Sequence, residues 1–161
     1  MKPSSNIRPA EERDLEALGI ALERLSQDLG DPHRAGTDTL HRALFGMPQA
    51  TWAQVAEGTG GIAGVVLFAP VFSTVRGGAG VFVSDLWVES AQRGRGLGLA
   101  LLRSAANTAG VLWDAGFMRL SVHDNNARAR ALYQDMGFAP ASGEAVMVLT
   151  GQAFQQVRRT T

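Results

Sequence analysis

The 161 residues predict an α/β (α+β) fold: a mixed, mostly antiparallel central sheet of about seven strands flanked by about four helices. Three observations carry that prediction. Leucines recur at three- and four-residue spacing over residues 15–29, the period of an amphipathic helix. Between residues 51 and 88, segments rich in β-branched and aromatic residues are separated by glycine-rich turns, the pattern of an antiparallel meander. Helical and strand patterns then alternate to the C-terminus, giving the order β-α-α-β-β-β-α-β-α-β-β.

Ile7-Arg8-Pro9 reads as a short first strand, and Ala10-Glu11-Glu12-Arg13-Asp14 opens a helix with acids in its first turn. Leu15, Leu18, Leu22, Leu25 and Leu29 form its core-facing stripe, and Gly30-Asp31-Pro32 ends it. A second short helix is expected from about Thr39 to Phe45, closed by Gly46-Met47-Pro48. Thr51–Ala56, Gly61–Phe72 and Val81–Val88 are the meander strands. Leu99, Leu102, Ala105, Ala106, Ala109, Leu112 and Trp113 mark a long helix. Phe117–Val122 is the next strand, and Ala127–Met136 a helix with Ala129, Leu132, Tyr133 and Met136 on one side. Phe138 and Ala145–Leu149 are expected as closing strands. No repeat or linker interrupts this order, so residues 1–161 are read as a single domain.

Composition removes several kinds of chemistry. Without cysteine there is no disulfide, no thiolate metal site and no covalent thioester on the protein. The sole lysine, Lys2, leaves no Schiff-base or Walker lysine. His33, His41 and His123 lack metal-ligand spacing, so no metal is expected. No apolar run approaches the roughly 20 residues of a membrane span. Residues 1–6 lack the apolar core of a secretory signal, so a cytoplasmic location is the default expectation. Net charge is zero but uneven. Residues 93–130 carry six arginines against two acids, and residues 1–92 carry seven basic against eleven acidic groups. An anionic ligand favours the first region and a cationic one the second.

Residues 93–98 read Arg-Gly-Arg-Gly-Leu-Gly, between a strand and the long helix. Glycines there let the chain turn tightly and bring backbone against a ligand. The helix start adds unpaired N–H groups and partial positive charge, and Arg93 and Arg95 add two full charges. The result is an anion site. A Walker loop requires Gly-Lys-Ser/Thr, which is absent. A dinucleotide loop requires Gly-x-Gly-x-x-Gly/Ala, whose last position falls here on Leu99 or Leu101.

Arg-x-x-Gly-x-Gly does fit, spanning Arg93, Gly96 and Gly98. Asp85-Leu86-Trp87-Val88 precedes it, and Asn126-x-x-Ala129-x-x-Leu132-Tyr133-x-x-x-Gly137-Phe138 follows. With these blocks the chain resembles the GNAT superfamily of acetyl-CoA-dependent N-acetyltransferases over nearly its whole length. The resemblance implies acetyl-CoA as cosubstrate. Its pyrophosphate would rest on the backbone of Arg93, Gly94, Arg95, Gly96, Leu97, Gly98 and Leu99. Its pantetheine arm would pair like an extra strand with Leu86, Trp87 and Val88, and Asn126 and Tyr133 would also contact it. Within the superfamily, residues 72–88 are similar to the diamine (spermidine/spermine) acetyltransferase branch, with Ser84 in place of that branch's Glu and Asp85 matching its Asp.

Acetyl transfer requires deprotonation of the amine, stabilisation of the carbonyl oxygen and protonation of the departing thiolate. Tyr133, the only tyrosine, stands where the family carries its general acid. A phenol of pKa about 10 stays protonated at neutral pH and can donate to a thiolate whose conjugate acid lies near 8.5. The oxyanion donor is expected to be a backbone N–H of strand 81–88 near Trp87 or Val88. Ser84 cannot serve as a base unaided, so deprotonation falls to Asp85 through water, to another acid or to solvent, with Asp85 the candidate base; strand alternation places Ser84 and Asp85 on opposite faces. A bracing role for Asp85 stays open. The acceptor side is assigned to residues 26–50 and 72–80. There Asp28, Asp31 and Asp38 are candidates to attract a cationic amine, and Trp52 or Trp87 to stack on it. His123 is a lesser candidate. The expected function is direct acetyl transfer to a small-molecule or peptide primary amine in a ternary complex. A non-catalytic acyl-CoA-binding module is the alternative. Neither nucleic acid nor membrane is an expected partner, and edge strands near the C-terminus leave room for a homodimer.

Overall fold

Leucine spacing, glycine stops and one long apolar run account for most of the architecture. In the computed structural model, which describes residues 6–159, the elements are β1 (Ile7–Pro9), α1 (Leu15–Leu29), α2 (Thr37–Phe45), β2 (Trp52–Gly58), β3 (Gly61–Ser73), β4 (Gly78–Val88), α3 (Leu97–Trp113), β5 (Met118–Leu120), α4 (Ala127–Asp135) and α5 (Gly151–Arg158). Short 3-10 turns at Glu12–Asp14 and Ser90–Gln92 precede α1 and α3. The chain divides into two compact units, one running to Ser121 and the other starting at Val122.

The first unit is a five-stranded sheet in sequence order, antiparallel from β1 to β4, with β5 parallel to β4. α1 stops at Gly30, whose φ of +73° is open to glycine without a Cβ clash. Its Leu18 and Leu22, with Leu40 and Leu44 of α2, bury against Val55, Val65, Leu67 and Trp87 on one face of the sheet. α3 covers the other face with Leu97, Leu101, Leu102, Ala105 and Ala109, all buried. β3 is buried continuously from Ala63 to Phe68 because both of its faces are covered. Close approach of α3 depends on Gly64, where a Cβ would lie 2.8 Å from Leu101 Cδ1 and 3.2 Å from the Trp87 carbonyl oxygen.

Arg8 ties β1 to its neighbours. Its guanidinium donates to Asp14 at 2.6 and 2.9 Å and to Glu57 at 2.6 Å. These hydrogen bonds hold the Asp14 and Glu57 carboxyls below their ordinary pKa values and raise that of Arg8.

The second unit is helical. Asn126 caps α4, its side-chain oxygen accepting from the Ala129 N–H at 3.2 Å, and the helix closes at Gly137 with φ +94°. About seven strands were expected and five form among the described residues: neither Phe138 nor Ala145–Leu149 is a strand, and a short helix, α5, follows instead. A strand exists only through its ladder, and the second unit offers no other strand to pair with. Val146, Met147 and Val148 are left largely exposed.

Candidate functional site

The site begins where β4 outruns its neighbour. β5 pairs with β4 only at Val81, Phe82 and Val83, while β3 stays paired with it out to Val88. Along residues 84–88 the β5-side edge of β4 therefore has no strand partner among the described residues. Leu86, Trp87 and Val88 lie in this stretch. An unpaired edge offers N–H and C=O groups to any extended ligand.

The ladder is also irregular there. Phe68 pairs with Val83 and Leu67 with Asp85, so Ser84 is a bulge without a partner. This corrects the simple alternation expected from sequence. Val83 and Asp85, two apart, stand opposite β3 residues that face different sides of the sheet. Asp85 shares its side with Trp87, the side packed by α1 and α2, and it is half-buried. Ser84 is exposed.

Past β4 the chain makes one 3-10 turn, and the Arg93 N–H is used up on the Ser90 carbonyl at 3.3 Å. Gly94 and Gly96 then take φ of +76° and +82°, conformations that cost a residue with a Cβ about 1–2 kcal/mol. The first helical bond of α3 runs from the Ala100 N–H to the Gly96 carbonyl at 3.0 Å. The N–H groups of Leu97, Gly98 and Leu99 accordingly have no acceptor within the helix. They point out of the positive end of a 17-residue helix. The groups this loop leaves open to an anion are thus backbone N–H groups, those of Leu97, Gly98 and Leu99.

The two arginines of the loop separate in role. Arg93 Nε donates to the Val88 carbonyl at 2.8 Å, and its Nη2 to Asp28 Oδ2 at 2.5 Å. Its charge is neutralised by Asp28, which in turn is not free to attract an amine. Arg95 is exposed, and among the described residues it takes no ion pair. Neither the Asp28 partner nor the bulge has a local sequence signal, since both depend on residues brought together by the sheet.

In the second unit, Asn126 spends its side-chain oxygen on capping α4, and its own N–H donates to the His123 carbonyl at 3.0 Å. Tyr133 lies on α4 with its ring 5.5 Å from Phe138. Burial pushes its phenol above the ordinary value of 10 and keeps it protonated. Among the described residues no group of three or more His, Asp or Glu is arranged to hold a metal. None of the described helices is long and apolar enough to cross a membrane.

A profile of the acetyltransferase (GNAT) family matches residues 20–138. Among solved structures, the chain is similar to an integron cassette protein from V. cholerae, with 19% identity over 98% of this chain and 99% of that one and a TM-score of 0.77. It is similar to a ribosomal-protein-alanine N-acetyltransferase from Brucella melitensis (23% identity, 91% and 100% covered, TM-score 0.74). A third is a predicted acetyltransferase from Clostridium acetobutylicum, solved with acetyl-CoA (20% identity, 89% and 96% covered, TM-score 0.72).

Proposed function

The chain belongs to the acetyltransferase (GNAT) family, and from that premise we propose that it moves an acetyl group from acetyl-CoA directly to a primary amine in a ternary complex. One observation carries this reading: the open edge of β4 and the N–H groups of Leu97, Gly98 and Leu99, which have no acceptor within the helix, follow one another closely in one unit. An extended arm ending in a pyrophosphate needs that pairing of features. The structure of the Clostridium acetobutylicum relative with acetyl-CoA supports the same ligand.

In this reading the backbone from Gly94 to Leu99 holds the pyrophosphate, and Leu86, Trp87 and Val88 pair with the arm. An N–H of that stretch stabilises the thioester oxygen. Tyr133 protonates the departing thiolate; with its pKa raised by burial, it stays a donor across the neutral range. Asp85, free of any ion pair among the described residues, relays the amine proton through water. The likeness of residues 72–88 to the diamine branch makes a cationic primary amine the acceptor to try first. A cytoplasmic enzyme of one domain, with or without a second copy, completes the proposal.

Thiol release from acetyl-CoA, measured with a panel of polyamines, amino acids and peptides, tests the reading. Amine-dependent release is expected. Tyr133→Phe should then lower kcat about 100-fold or more with acetyl-CoA affinity nearly unchanged. Because Tyr133 is the only tyrosine, absorbance at 295 nm titrates it directly, and its midpoint should lie above pH 10. A second reading is favoured by Ser84, which occupies the bulge where a carboxylate would serve as base. It is a binding module that holds acyl-CoA without turnover. Tight acetyl-CoA binding with no amine-dependent thiol release would select it.

A further inference from the structure

A cavity opens in the first unit, at the far end of α3 from the glycine loop. Its volume is about 800 Å³, within the range of small-molecule sites. Phe45, Met47, Trp52 and Leu112 form apolar walls, Gln49, Asn107 and Thr108 add polar groups, and among the described residues Glu12 is the only charged one that lines it. Eleven residues of helix separate Leu97 from Thr108 in its lining, about 16 Å at 1.5 Å per residue. The cavity is therefore separate from the site assigned to acetyl-CoA.

Gln54 marks it as more than a gap between side chains. This residue lines the cavity, is 2% exposed and stands in a stretch, Trp52–Ala56, that is otherwise apolar. Its Nε2 donates to Thr108 Oγ1 at 3.0 Å, but its Oε1 is buried with no hydrogen-bond partner. A buried acceptor left without a donor costs about 1–3 kcal/mol, and a sequence that needed only packing would place Leu or Val there. With Nε2 committed to the Thr108 hydroxyl, the open end is the acceptor.

We propose that this cavity binds a flat, uncharged molecule whose single N–H or O–H donor satisfies the Gln54 side-chain oxygen. Apolar walls with two aromatic residues, Phe45 and Trp52, select the body of such a ligand, the amide selects its donor, and Glu12 repels an anion. Indole has this chemistry and is not an acetyl acceptor, so the experiment can be run without acetyl-CoA.

Titration calorimetry of the full chain with indole and with 1-methylindole, which keeps the shape and loses the donor, reads the hydrogen bond. Indole should bind saturably and about five- to tenfold more tightly than 1-methylindole. Gln54→Leu should bind both alike, with its fold checked by circular dichroism. Indole-3-propionate should bind weakly to the parent and gain affinity in Glu12→Gln, whose exposed position leaves the core untouched. Any of three results overturns the proposal. One is equal binding of indole and 1-methylindole by the parent. Another is an unchanged preference in Gln54→Leu. The third is no saturable binding, whether because a bound water satisfies Gln54 or because a second copy of the chain covers the cavity in solution.

Discussion

The two ends of α3 present opposite solutions to binding. At its N-terminus the chain uses backbone: N–H groups with no acceptor, two glycines at positive φ, and one arginine whose charge is already neutralised. At its C-terminal half the helix lines a largely apolar cavity where a buried amide, that of Gln54, keeps one hydrogen-bonding end open. Charge serves the first and hydrophobic burial the second. The contrast teaches that a helix end with aligned dipoles needs few side chains to hold an anion, whereas its middle must recruit them.

The largest effect is expected from making the same substitution at both ends. Gly96→Ala places a Cβ at φ +82°, where nothing crowds it but the conformation itself is strained. We expect about 1–2 kcal/mol of lost stability and at least a tenfold rise in the acetyl-CoA dissociation constant, as the loop shifts to relieve φ. Gly110→Ala lies in helical backbone with open space around it. It should stabilise the chain by about 0.5–1 kcal/mol and leave acetyl-CoA binding unchanged. Chemical denaturation and calorimetry on the pair measure both. Equal and opposite shifts in stability without any change in binding would remove the loop from the cofactor site.

The loop's glycines, the leucine stripe of α1 and the meander were legible because each is a local pattern: a spacing or a turn residue within a few positions of its effect. The bulge at Ser84, the Asp28 partner of Arg93 and the open edge of β4 were not. Each depends on how far a neighbouring strand or helix extends, which no window of sequence records. Ala145–Leu149 shows the same limit from the other side. Its composition is that of a strand, yet no ladder forms among the described residues. Gln54 was overlooked because a single polar residue in Trp-Ala-Gln-Val-Ala alternates as an ordinary exposed position would, and only burial by α3 distinguishes it.

A smaller effect separates the two hydrogen-bonding ends of Gln54. Thr108→Val removes the only partner that the amide has among the described residues, leaving both of its ends open, and should cost about 1–2 kcal/mol. Added to Gln54→Leu, the same change should cost nearly nothing, because two apolar groups then meet. Urea denaturation of the two single variants and the double variant gives the coupling directly. Additive losses would mean that the amide and the hydroxyl do not depend on one another, and the polarity of this end would then have no structural purpose.

The smallest effect bears on how much of the anion site is charge. Asp28 pairs with Arg93 at the surface, and such a pair contributes about 0–1 kcal/mol to folding. Asp28→Asn should therefore scarcely change stability. It unmasks the Arg93 guanidinium beside the loop, while the bond from Nε to the Val88 carbonyl still holds the side chain in place. Acetyl-CoA should bind a few-fold more tightly at low ionic strength, and the gain should vanish at about 1 M salt, where the screening length is near 3 Å. Weaker binding at every salt concentration would mean that Asp28 holds Arg93 for the geometry of the loop, so that even this end of α3 relies on a side-chain contact that the backbone cannot replace.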